Sequence, residues 1–113
     1  MSIDEKIKRS REIAQLKRKV ELNESIEKYQ GSCEEYVKNY DFSRMIEHYS
    51  DDNKYFTIGH INSVIQDTTK NLHFTESERC NILANEFTKK IKSKNIIFEC
   101  EYGSYLKAVY KPK

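Results

Sequence analysis

The chain has 113 residues, 37% apolar and 34% charged, with a formal net charge of +2 and a mean hydropathy of −0.85. That is one domain's worth of sequence with a small core, its 26 Leu, Ile, Val and Phe residues standing just above the level at which disorder sets in. No apolar run approaches the roughly 18–20 residues of a membrane helix, and the three glycines form neither a GxGxxG nor a Walker loop.

The N-terminal stretch has no signal-peptide core, which argues against secretion. Cys33, Cys80 and Cys100 are odd in number and far apart, with no CxxC. They predict buried thiols in a reducing, cytoplasmic setting rather than a disulfide framework. Ile, Lys, Asn and Tyr supply 43 residues. Their AT-rich codons suit a low-GC bacterium, its phage or a similar virus.

Charge is segregated. Residues 1–20 carry seven basic and three acidic groups, residues 21–53 three and nine, residues 54–113 ten and six. Two basic ends thus flank an acidic middle.

The first element is a helix. Ser2-Ile3-Asp4-Glu5 reads as a capping box, and no Gly or Pro occurs before Gly31. Its apolar residues fall in three directions: Ile3, Ile7 and Ala14; Ile13, Leu16 and Val20; Leu22, Ile26 and Tyr29. No sustained coiled-coil seam runs through them. Only Tyr29 of the 13 aromatics lies before residue 33. Residues 1–32 are therefore read as a basic helical arm that packs on different neighbours along its length and makes homodimer contacts.

The aromatic core begins at Cys33, with Cys33, Tyr36, Val37 and Tyr40 on one helical face. Phe42, Met45, Ile46 and Tyr49 form a second face out of phase with the first, so a break is expected near Tyr40–Ser43, capped by Asp41 or Ser43. Ser50-Asp51-Asp52-Asn53 is a turn, and Lys54-Tyr55-Phe56-Thr57 is short and β-prone. Thr57 then caps a helix carrying Ile58, Ile61, Val64 and Ile65, which the polar stretch Thr68 to Asn71 ends. Thr75-Glu76-Ser77-Glu78 is a second capping box. It opens a helix over 75–93 whose Cys80, Leu83, Ala84, Phe87 and Ile91 share one buried face. Its charges, Glu76 and Glu78 early and Lys89, Lys90 and Lys92 late, suit the macrodipole.

The chain closes with a β-hairpin over 96–110. A three-residue loop, Tyr102-Gly103-Ser104, opposes Cys100 to Leu106, Phe98 to Ala108 and Ile96 to Tyr110 on one face, and Glu99 to Lys107 on the other. A two-residue loop would mix apolar and charged partners.

The fold class is α+β, mostly helical: the arm, then a domain over 33–113. The order helix, strand, helix, helix and two-stranded hairpin from residue 33 resembles a winged-helix domain, in element order only. The resemblance implies that helix 75–93 is a recognition helix and the hairpin a wing. Arg79, Asn81 and Asn85 are side chains of the kinds that read bases, and Lys89, Lys92, Lys94 and Lys107 are placed to neutralise phosphates. Glu76, Glu78 and Glu86 stand against this in the half of the helix that normally meets bases.

The alternative is a protein partner, met by the compact run Lys17-Arg18-Lys19 and by Tyr102 and Tyr105 at the hairpin tip. His48, His60 and His73 show no ligand spacing with one another or with the cysteines, so no metal site is expected. No cofactor is implied. No catalytic constellation is visible, Glu99 and Glu101 near Lys107 reading as a cross-strand ion pair. The sequence thus suggests a small intracellular, non-enzymatic DNA-binding regulator. The competing reading is a phage- or virus-type accessory protein that modulates a protein partner.

Overall fold

The structure, a computed structural model, describes residues 2–67 and 70–112. Its dominant element is α1, one unbroken helix over Ile3–Lys38, about 54 Å long at 1.5 Å per residue. The Ser2 side chain accepts from the Glu5 amide at 3.2 Å, as the capping box requires. Helix α2 spans Ser43–Ser50 after the expected break, but its N-cap is Phe42, with no side-chain capping bond, rather than Asp41 or Ser43; Asp41, one residue earlier, accepts from the Ser43 amide at 3.0 Å.

Strand β1 covers Tyr55–His60, α3 Ile61–Val64, α4 Glu76–Ile91, β2 Ile96–Glu101 and β3 Tyr105–Tyr110. The strands form an antiparallel sheet in the order β1-β3-β2. The fold is α+β and mostly helical.

The hairpin register is the one that separates apolar from charged partners: Cys100 opposes Leu106, Phe98 opposes Ala108, Ile96 opposes Tyr110 and Glu99 opposes Lys107. Its turn puts Tyr102 at φ 55° and Gly103 at φ 74°, and the Ser104 amide donates to the Glu101 carbonyl at 3.2 Å. Two successive positive φ angles are what a type I′ turn demands.

The core lies between the C-terminal half of α1, α4 and the inner face of the sheet. Tyr29, Cys33, Leu83, Phe87, Phe98 and Leu106 are among its buried members. Phe87 is the hub, within 5.1 Å of the Tyr40 and Phe98 rings and about 6 Å of Tyr36 and Phe42, centroid to centroid.

Several expectations are corrected. The head does not begin at residue 33, because Ser25 and Tyr29 are already buried in it and Leu22 and Ile26 pack against it. Thr57 caps nothing. The strand runs on to His60, whose Nδ1 accepts from the Asn62 amide, so the helix after it has only four residues. Pairing with β3 holds residues 55–60 extended despite the helical spacing of Ile58, Ile61 and Ile65. The strand absorbs the irregularity as a bulge between Thr57 and Gly59, and Gly59 sits at φ 141°, where a side chain would be strained. Thr68 and Thr69, in the polar stretch expected to end that helix, lie outside the described residues.

The third correction concerns sulfur. Cys80 on α4 and Cys100 on β2 form a disulfide, with Cα atoms 6.1 Å apart. Cys80 lies on the buried face of α4 and Cys100 packs against the same core. Cys33 is free and buried.

Candidate interaction surfaces

Three surfaces carry the residues singled out from the sequence. The first is the outer side of α4. Asn81, Asn85 and Lys89 are exposed there, opposite the buried line of Cys80, Leu83 and Phe87. Lys89 lies 3.2 Å from the Glu86 carboxylate, which is itself largely buried. Lys92 ends the helix in the left-handed conformation at φ 52°, and Lys94 is exposed in the loop beyond.

Arg79 does not belong to this surface. It is buried at 8% exposure. Its Nη1 donates to the Phe74 carbonyl at 2.6 Å and faces Asp67 at 3.5 Å, and its Nη2 donates to Asn62 Oδ1 at 3.2 Å. The guanidinium therefore ties the 62–74 segment to α4 and is unavailable to read a base. Lys107 is likewise engaged. It pairs with Glu101 at 3.3 Å, not with its register partner Glu99, and lies 5.3 Å from the Tyr55 ring centroid. Residues 22–113 hold thirteen basic and fourteen acidic groups, so the head carries no positive excess of the kind a nucleic-acid footprint shows.

The second surface is the hairpin tip. Tyr102 is 87% exposed. Tyr105 does not stack on it; its ring packs edge-on against His60 at 4.9 Å. His60 Nε2 is 3.9 Å from Glu76, and Asn62 Nδ2 donates to the same carboxylate at 3.1 Å. The turn rests on the start of α4, where a Cβ at Gly103 would lie 3.7 Å from the Ser77 Cβ, and the Ile61 amide donates to the Ser104 carbonyl at 2.7 Å. The hairpin is thus pinned to the body of the head, with one aromatic side chain standing out from it.

The third surface is the projecting half of α1. From Ile3 to Glu21 every residue except Ala14 is exposed. Ile3, Ile7, Ile13, Leu16 and Val20 all lie open to solvent, interspersed with Lys17, Arg18 and Lys19. The unfilled need of this helix was not readable from the sequence, because three short apolar directions do not say which one the head covers.

Among the described residues no group of three His, Cys, Asp or Glu side chains is placed to hold a metal ion, and no helix is long and apolar enough to cross a membrane. His48 is used internally, its Nε2 against the Tyr55 carbonyl. Cys33 lies beside Tyr29 and near Glu86, and burial pushes its thiol up to about 12, far from the nucleophilic range. No family model, curated protein or solved structure matches the chain.

Proposed function

We propose that this is a non-enzymatic accessory protein that works by binding another protein, with the projecting half of α1 as its docking element. One observation carries the reading: a helical arm of nearly twenty residues bears five large apolar side chains, each roughly half or more exposed. Exposed apolar groups in such number mark a surface that is covered in use. Lys17, Arg18 and Lys19 beside them supply charge that steers an acidic surface into contact. Tyr102 at the tip is a second, smaller anchor.

The test compares full-length protein with an Ile7→Asp/Leu16→Asp variant for capture of the same identified partner. Loss of capture with an unchanged melting curve is expected. Equal capture by both proteins removes the arm from the mechanism.

An intracellular setting belongs to this reading. The Cys80–Cys100 bond is uncommon there, and a thiol count on unfolded protein taken directly from cells is the check. Three free thiols support the intracellular setting; one argues for an oxidising compartment.

Duplex DNA is a second reading, favoured by the uncovered side of α4, where Asn81 and Asn85 stand beside Lys89 with Lys92 and Lys94 at the end. In that case Lys89→Ala/Lys92→Ala weakens binding to every sequence alike and lowers the salt slope by about two. An unchanged slope eliminates the mode.

A further inference from the structure

The structure assigns one face of the arm to a second copy of this chain: we infer that α1 pairs antiparallel with α1 of another molecule along the stripe Arg9, Ile13, Leu16, Val20, Asn23 and Glu27. The inference rests on the reading of the arm as a docking element and names its occupant.

Because α1 is continuous, its faces are defined relative to the head. Ser25, Tyr29, Cys33 and Val37 are the buried line. At 100° per residue, Ile13, Leu16 and Val20 point about 150° away from it. This stripe lies on the back of the helix, clear of the molecule's own core. Beyond its apolar centre the same line of the helix runs through polar residues. Toward the N-terminus it reaches Arg9, and toward the C-terminus Asn23 and Glu27, all exposed. Farther along the same face, a Cβ placed at Gly31 would meet no atom within 4 Å, so the back of α1 stays open alongside the head.

Charge then selects the occupant and its direction. Residues 3–20 hold seven basic and three acidic groups, and residues 21–38 two basic and five acidic. An antiparallel copy lays the basic half of each helix on the acidic half of the other. With the two-fold axis near residue 18, Leu16 meets Val20 of the second copy, Ile13 meets its Asn23, and Arg9 meets its Glu27. The contact is isologous, so each pairing occurs twice. A parallel copy would set Arg9 on Arg9 and Glu27 on Glu27. The two heads do not obstruct the pairing, since each lies on the far side of its own helix.

The test is sedimentation of the full-length protein at concentrations up to about 0.2 mM, because six apolar side chains and two ion pairs belong to the weak class of interface. The expected mass is twice 13.5 kDa. Leu16→Asp returns the protein to monomer. Arg9→Glu and Glu27→Lys each weaken the dimer about tenfold, the loss of two like-charge-replaced pairs, and both changes in one chain restore it. Circular dichroism melts of all variants match the wild type, as the positions are exposed.

A wild type that is monomeric throughout overturns the inference. So does a dimer that survives Leu16→Asp, or a doubly charge-reversed chain that stays weakened. If the protein is monomeric yet loses a different partner through Leu16→Asp, self-pairing is overturned while the docking reading stands.

Discussion

Phe87 is the residue on which the head depends. It is fully buried and faces four other aromatic rings from α1, the α1–α2 break and β2. Phe87→Ala leaves a void that this many partners cannot close, so a loss of about 3–5 kcal/mol is expected in urea or thermal unfolding. Cys33 predicts an alkaline signature. Its folded thiol titrates near 12 against an ordinary value of 9.0, so the folded state holds the proton more tightly. The resulting stability is complete below the unfolded value and is lost as pH climbs toward the folded one. Tyr29, Tyr36, Tyr40 and Tyr49 are also raised by burial, but from 10.0. Cys33 thus acts first, lowering stability by about 1 kcal/mol between pH 9 and 10. Urea melts of Cys33→Ala across that interval should show a flatter profile than the wild type. Tyr102 holds a left-handed φ for which a bulky side chain is poorly suited. Tyr102→Asn, which suits the turn, is expected to raise stability by about 1 kcal/mol, and a melt of the variant measures it.

At the scale of elements, the hairpin and α4 were legible because each declares its period within a few residues. Phe98 and Cys100 alternate with Glu99 and Glu101, and Leu106 and Ala108 answer them across the turn. Cys80, Leu83, Phe87 and Ile91 repeat at helical spacing. The cysteine pairing was hidden because it depends on how α4 seats on β2, and faces alone do not give that. The same is true of Arg79, whose partners are Asn62 on the short helix α3 and Asp67 and Phe74 in the irregular stretch after it. The region around Ile58 was misread because its spacing fits a helix, and only the neighbouring strand decides otherwise. The disulfide closes a loop with a sequence separation of 20, for which restriction of the unfolded chain contributes about 3 kcal/mol. Reducing the native protein should therefore lower its unfolding free energy by about that amount, and denaturant curves with and without reductant measure it. An unchanged midpoint means that the bond does not constrain the chain.

The whole molecule is elongated, 71 × 25 × 22 Å with a radius of gyration of 19.1 Å, against about 13 Å for a compact chain of this length. The excess is the arm. Nearly all aromatic and buried residues lie in the head, so deleting residues 1–20 is expected to leave its cooperative unfolding in place, within about 0.5 kcal/mol. A truncated chain that is unfolded would show that the arm stabilises the head directly. From the sequence, the arm's existence and basic charge were plain. Which of its faces is free was not, because every side of the helix mixes apolar and charged residues and only the packed head supplies a reference direction.

The lack of any break in α1 between Lys17 and Lys38 makes the helix a rigid shaft, and a shaft transmits angle as well as force. Whatever grips the arm also sets the heading of the sheet and α4 about the shaft axis. One alanine inserted after Val20 would turn the head by about 100° relative to its grip, two by about 200°, and seven would bring it back to within about 20° of the start. Activity in cells that disappears with one inserted residue and returns with seven would identify the protein as a device for holding its head at a set angle. Activity indifferent to the insertions would reduce the shaft to a tether.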